Sequence, residues 1–584
     1  MFVNMKFVEY TFISFLIVLL CACSGSNANK EGVFAVRKKK QWDFWSIVKI
    51  AIFLFIILTI LYPISTVVIR SITNSEGKLT VENFVKFFTT KYYMDVLKNS
   101  LFVSSVTTVF SVIIGVFMAY ALTRFDIRGK KIINIVIILS LMSPPFIGAY
   151  AWIMLFGRSG LVTKFMLEVF GITLPTIYGK WGIISVFTVK MFPYVYLFTS
   201  GAMGSIDASL EEAAENLGSS TWERIRRITI PVVLPSILAG AVMVFTSCIS
   251  DFGTPMLIGQ NYKVLATLVY EQYMSEIGTS SNFAAAVSMV VIALATAVLV
   301  FQNVYINRRN YNMSAMRPPQ TVHLKKSSRV LVLIPVLLVV FVCMLPQIVV
   351  IVTSFRNCNG PYFVDGWSLE SYRVIFTRMI RSIKNTYLYS SVAIVIMIII
   401  GSLTAYVTVR KRSALTQVTD VVMMFPYVIP GAIMGLSYII AFNRAPFFLA
   451  GTAFIMILSY SVRKIPYTVR SAVGFLHQMD PFVEEASINL GVSPGKTFFK
   501  ITLPMMLPGV ISGAILSWIE TINELSSSIM LYSGKTSTMA VAIYNEVARN
   551  SFGTAAAMAT ILTLSAAIML VVANVVSKGK VSIV

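Results

Sequence analysis

Apolar runs of about 20 residues, the length needed to cross a bilayer as a helix, recur along the whole chain between short polar or basic stretches. In the first half they predict spans over 45–70, 97–123, 132–156, 181–203, 230–250 and 284–304. The second half offers 329–353, 386–409, 418–442, 446–462, 505–522 and 555–577. Lys and Arg cluster at 37–40, 124–131, 224–227, 308–326, 410–412, 496–500 and 578–580, at alternate ends of these runs. Placing every cluster inside, as the positive-inside rule directs, gives about twelve spans and a cytoplasmic C-terminus. The predicted fold class is therefore an all-α polytopic membrane protein.

The pattern also repeats. Residues 211–241 read EEAAENLGSSTWERIRRITIPVVLPSILAGA and residues 484–514 read EEASINLGVSPGKTFFKITLPMMLPGVISGA. Matching residues lie about 273 positions apart, the mark of a duplicated unit. A second matched block runs from Asn99 (NSLFVSSVTTVFSVIIGVFMAYALTR) and from Asn385 (NTYLYSSVAIVIMIIIGSLTAYVTVR). It pairs Gly115 with Gly401, Tyr120 with Tyr406 and Arg124 with Arg410. There the offset is about 286, so the first half holds roughly a dozen extra residues, expected in an outer loop around 157–180. Equal numbers of spans in the same order make the repeats parallel, related by an axis along the membrane normal. The expected division is an N-terminal segment 1–44, repeats over 45–304 and 329–584, and a cytoplasmic linker 305–328.

Composition narrows the class. Of 584 residues, 57% are hydrophobic and only 12% are charged, against about 25% charged in soluble proteins. The net charge of +23 sits in loop clusters, so it points to the cytoplasmic face of a lipid bilayer and not to nucleic acid. The five cysteines show no spacing for a disulfide framework or zinc site. At the N-terminus, Lys6, an apolar stretch and Leu20-Cys21-Ala22-Cys23-Ser24-Gly25 admit three readings. They are an extra span, a misplaced start, and a lipoprotein signal with Cys23 as the lipidated residue.

Each copy of the repeated motif predicts a short cytoplasmic helix. Asp207 and Asp480 sit near the helix starts, where negative charge meets the positive dipole end, and Gly218 and Gly491 end the helices. Pro231 and Pro504 are then expected in the first turn of the next span, with Pro235 and Pro508 bending it one turn later. The pattern is a helix along the membrane face, a break, and a re-entry.

The E-A-A, Gly and I-x-L-P pattern resembles the EAA loop of permease subunits of bacterial ABC importers, over nearly the chain from 45 to 577. The resemblance implies a type I permease in the bacterial inner membrane. Glu211, Glu212, Ala213 and Gly218, with Glu484, Glu485, Ala486 and Gly491, would each contact one of two copies of an ABC ATPase. An extracytoplasmic substrate-binding protein is the other implied partner. The change from Ala214 to Ser487 is small for small. Within that family, SDFGTPMLIG from Ser250, VLATLVYEQY from Val264 and TINELSSSIMLYSGKTSTMAVAIYNEV from Thr521 are similar to fused permeases for ferric iron. Permeases for aminoethylphosphonate, thiamine, polyamines and sulfate share much of this pattern.

Asp251 and Glu524 fall at equivalent repeat positions in or beside apolar helices, and Glu520 lies one turn before Glu524. Acids at membrane depth face cavities or partners. Two roles stand open: lining the path of a cationic substrate, and gating or structural bonding near the outer rim. Gly491-Val492-Ser493-Pro494-Gly495-Lys496-Thr497 imitates a phosphate loop, but has one residue too few between its glycines and no preceding buried strand. ATP is therefore expected on the partner alone, with no cofactor or metal in this chain and no enzyme activity. His323 and His477, the only histidines, are solvated loop residues on this reading. An ion-gradient transporter also accommodates repeats and buried acids, but does not require a repeated cytoplasmic helix.

Overall fold

The computed structural model describes residues 44–74, 76–142, 145–274, 281–305, 326–360, 362–445 and 447–576. The N-terminal signal-like segment with Cys21 and Cys23, and most of the expected linker including His323, lie outside the described residues. The first repeat runs through α1 (Phe44–Ser71), α2 (Lys91–Arg124), α3 (Lys130–Met142), α4 (Pro145–Phe156) and α5 (Lys180–Gly204). It continues through α6 (Ala208–Asn216), α7 (Thr221–Ser250), α8 (Leu265–Met274) and α9 (Ser281–Tyr305). The second follows the same order: α10 (Lys326–Ser354), α11 (Ile380–Arg410), α12 (Ala414–Met423), α13 (Gly431–Phe442) and α14 (Ala453–Gln478). It closes with α15 (Phe482–Asn489), α16 (Pro494–Ile522), α17 (Met539–Ala548) and α18 (Phe552–Val576). The only strands among the described residues form two small antiparallel hairpins, at 356–367 and 443–448.

Each repeat is built on a three-helix junction. In the first, α2, α5 and α7 pack mutually, and Val195 of α5 is clasped between two glycines. A Cβ on Gly115 would lie 2.7 Å from Val195 Cβ, and one on Gly240 2.8 Å from Val195 Cα. In the second, Thr468 of α14 sits between Gly401 of α11 and Gly513 of α16, whose Cβ atoms would lie 3.0 Å and 2.8 Å from its atoms. Small residues let backbones approach closely where lipid supplies no hydrophobic drive for association. The outer ends match too. Asn99 donates to Lys263 O, and Asn385 to Lys535 O and Ser537 O. Ser100 accepts the first N–H of α8 and Thr386 the first N–H of α17, both at 2.7 Å.

The halves exchange their first spans. Helix α1 packs on α9 of its own repeat and also on α11, α12 and α13 of the other. Tyr438 donates to Thr59 O at 3.0 Å and Tyr62 to Ala441 O at 3.3 Å. Helix α10 correspondingly packs on α3 and α4.

Several spans differ from their predicted limits. Among the described residues, nine helices are long and apolar enough to cross a membrane, ten if α12 and α13 are taken as one span bent by 110°. The run 446–462 is not a helix of that extent: its first residues belong to a hairpin and α14 continues to Gln478. Arg463, Lys464 and Arg470 truncate the apolar window there, but all three are paired with acids: Arg463 and Lys464 on the cavity wall, and Arg470 with Asp420 at 3.3 Å. The third predicted span of each half divides into two helices, with Pro145 opening α4 and Pro430 preceding α13. Proline cannot donate inside a helix, so such breaks are expected at these residues. Pro231 and Pro504 stand, as predicted, in the first turn of the α-helical stretches Ile230–Ser250 and Leu503–Ile522 of α7 and α16. Each follows a π-helical turn, at Ile225–Thr229 and Phe498–Thr502, whose wider geometry accommodates the missing donor. The extra residues of the first half lie where expected: the connection into the fourth span is 157–179, against 443–452 in the second half.

Gly240→Leu and Gly513→Leu should each lower the thermal stability of the purified protein by several degrees, since overpacking costs about 1–3 kcal/mol. Gly201→Leu, where a Cβ meets nothing within 4 Å, should leave it unchanged. Equal melting temperatures for all three variants would contradict the junction.

Candidate functional site

Two surfaces carry repeat-related chemistry, and the first is the pair of short helices α6 and α15. Asp207 Oδ1 accepts from Ser209 N at 2.9 Å and Asp480 Oδ1 from Phe482 N at 3.0 Å, which fixes both starts. Both helices end on glycine in the left-handed region, Gly218 at φ 82° and Gly491 at φ 84°. There Ser219 N donates to Ala214 O and Val492 N to Ser487 O. Glycine adopts this backbone without Cβ strain, which lets the chain turn sharply. Ser220 and Glu223 then form a capping box that starts α7.

Leu217 and Leu490, the residues before these glycines, are each 86% exposed. Two large apolar side chains at matching positions, flanked by exposed Glu212, Ala213, Glu485 and Ala486, make a duplicated contact surface. Glu484 faces the other way. It is buried, accepting from Tyr406 OH at 3.0 Å and pairing with Arg410 Nε at 3.2 Å. Arg410 also donates to Leu476 O and Met479 O at the end of α14. Trp45 of α1 lies on Tyr406 with ring centroids 4.3 Å apart. Glu484 thus anchors α15 to the span ends, and Glu485, Ala486 and Leu490 are what the helix presents. Glu211 occupies the matching position in α6, and its side chain lies outside the described residues.

The second surface is a cavity of about 190 Å³ between the halves. Asp251, Glu520 and Glu524 all stand on its wall, so the structure brings these sequence-selected acids together. It adds what the sequence reading missed, namely Lys190, Arg463 and Lys464, with Tyr194 and Tyr467. Lys190 Nζ lies 2.9 Å from Asp251 Oδ2. Arg463 pairs with Glu524, while Lys464 Nζ lies 3.1 Å from Glu520 and 3.3 Å from Glu524. Three bases therefore balance three acids, and the wall has no net acidic charge. The signal was present: Lys190-Met191-Phe192-Pro193-Tyr194 and Arg463-Lys464-Ile465-Pro466-Tyr467 match at the same offset as the acids. Among the described residues, no three His, Cys, Asp or Glu side chains cluster as metal ligands. The loop that imitates a phosphate site instead opens α16, and His477 is exposed in the last turn of α14.

Comparison with known proteins adds the following. Residues 111–311 and 397–581 each match the family described as binding-protein-dependent transport system inner membrane component. A ferric transport system permease protein of Actinobacillus pleuropneumoniae is 29% identical over 541 residues, covering 91% of this chain and 78% of the relative. An Fe(3+)-transport system permease protein of Haemophilus influenzae is 23% identical, covering 80% of this chain and 87% of the relative. A molybdenum transport system permease protein of Escherichia coli K12 is 29% identical over 200 residues, 34% of this chain and 86% of the relative.

Arg410→Gln strands the buried Glu484 carboxylate, and breaking such a pair costs about 3–5 kcal/mol. Detaching α15 relieves that cost. Amide exchange across Phe482–Asn489 should therefore speed up by about 100-fold or more, while the junction helices keep their protection. Tyr406→Phe, losing one hydrogen bond of about 1 kcal/mol, should act in the same direction but less. Unchanged exchange in the Arg410 variant would rule out the anchor.

Proposed function

The chain belongs to the binding-protein-dependent transport system inner membrane components, and from that premise we propose that it is the fused membrane subunit of an ATP-driven importer for ferric iron. The family sits in the bacterial cytoplasmic membrane, and this chain carries its domain twice. One polypeptide therefore supplies both halves of the pathway. The cargo assignment is supported by the relatives named for ferric transport, which match over most of both chains. The molybdenum relative matches over only 34% of this chain and speaks to the shared permease unit, not to the cargo.

The observation that carries the coupling is the pair of exposed leucines, Leu217 and Leu490, on matching helices that are pinned at their starts and turned at glycine. A partner with two equivalent docking clefts suits them. That partner is an ATPase present in two copies, one per helix, and ATP hydrolysis is its chemistry. The cavity walled by Asp251, Glu520 and Glu524 is the pathway segment between the halves. Cargo is delivered by an extracytoplasmic binding protein. On ATP binding the two ATPase subunits approach each other and carry α6 and α15 with them, tilting the two junctions and exposing the cavity to alternate sides.

Leu217→Asp or Leu490→Asp should cut the ATPase recovered on affinity purification of the membrane subunit, and the double substitution should abolish it. Radioactive ferric uptake in cells should fall in parallel to the level of a deletion strain. Full ATPase recovery with the double variant would sink the docking assignment. Wild-type uptake of another cargo but not ferric ion would sink the cargo alone.

A further inference from the structure

The acids of the cavity wall are bound on two sides. Asp251 Oδ1 accepts the backbone N–H of Thr254 at 3.0 Å, at the start of the short helix Gly253–Ile258, while Oδ2 holds Lys190. Glu524 Oε1 accepts the N–H of Ser527 at 3.0 Å, beside the short helix Ser528–Leu531, and the same carboxylate holds Arg463 and Lys464. In both halves one carboxylate therefore ties the turn after the fifth span to the fourth span, across the cavity wall. The bases come from α5 and α14, the helices clasped by the glycine junctions.

The two halves differ informatively. The second has an additional pair, Lys464 with Glu520 at 3.1 Å. At the matching positions the first half has Met191 and Ser247, both also on the cavity wall. Base and acid are both replaced there, leaving neither charge behind. That is what an interaction retained or discarded as a unit looks like. A carboxylate kept for binding a cation would not need to be lost together with its base.

Taking the importer reading as given, we propose that Lys190–Asp251 and Arg463–Glu524 are paired latches that position the fourth span against the turn following the fifth. In this arrangement the acids set the shape and opening of the pathway and do not ligate the cargo. Their carboxylate oxygens are engaged by N–H groups and cations of the chain itself. A buried charge left without its partner is costly whichever partner is removed. Loss of the base should therefore harm transport as much as loss of the acid. A cation ligand behaves differently, because removing the neighbouring base leaves its carboxylate freer to bind cargo.

The test uses the full complex with its ATPase and binding protein in proteoliposomes, with ferric ion as cargo. Lys190→Met and Asp251→Asn should each reduce the maximal uptake rate by about tenfold or more with KM unchanged. The double variant should be no worse than either single one, the non-additivity expected of a coupled pair. ATP hydrolysis without binding protein should rise in all three, since the latch no longer holds the resting state. Lys464→Met with Glu520→Ser gives the second half the residues the first half already carries; it also takes one of two cations from Glu524, so the maximal rate should fall, but by less than in the Lys190 and Asp251 variants, with the KM for ferric ion unchanged. The proposal is overturned if Asp251→Asn raises KM while Lys190→Met transports normally. A KM raised about tenfold or more in an assembled Lys464→Met, Glu520→Ser complex overturns it equally, and that variant decides the matter even if Lys190→Met fails to assemble. Wild-type vesicles that transport no ferric ion would refute the cargo reading instead, and hydrolysis rates across the variants would still test the latch.

Discussion

Everything in this molecule hangs on how closely one helix in each repeat is held by its neighbours. An added Cβ on Gly115 or Gly240 would collide with Val195, and one on Gly513 with Thr468, while one on Gly401 would press on Thr468 at 3.0 Å, so α5 and α14 are tightly held by the helices around them. Packed elements of this kind move as bodies, because close-packed interiors do not deform continuously. Helix α14 bears Arg463 at the cavity, Thr468 at the junction, and Leu476 where Arg410 grips its end. From Arg463 to Leu476 is roughly 20 Å at 1.5 Å per residue. A displacement of α15 at the membrane face therefore reaches the cavity through one continuous helix, Ala453–Gln478.

The exchange of first spans sets a second constraint. With α1 bonded to the second half through Tyr438 and Tyr62, and α10 lying on α3 and α4, neither half can rotate without engaging the other. A chain that contains both repeats gains most from this, since the two halves are always present together. The duplicated ends reinforce it: the Asn99 and Asn385 bonds, and the hydroxyls of Ser100 and Thr386 on α8 and α17, hold the outer ends alike in both copies.

The overall plan was legible in the sequence because it depends on patterns that survive in one dimension: apolar length, basic clusters and an internal repeat. The short helices around Glu211 and Glu484, their glycine turns and the extra loop in the first half were all readable on that footing. The fourth span of the second half was not, because Arg463, Lys464 and Arg470 interrupt its apolar run, and the acids that neutralise Lys464 and Arg470 are 56 and 50 residues away in sequence. The inward face of Glu484 was likewise hidden. Only the fold shows that it and Ser487, one turn apart, are buried while Glu485 and Ala486 are exposed. The balance of charge on the cavity wall required knowing that the fourth and fifth spans meet there.

On the proposed function, one chain presents two equivalent, rigidly connected docking helices to two copies of an ATPase. Native mass spectrometry of the complex purified through this chain measures that directly. Two docking helices require one membrane subunit with two ATPase subunits, falling to one when either Leu217 or Leu490 is replaced by Asp. A complex with a single ATPase in the wild type, or two retained when both leucines are replaced, would contradict it.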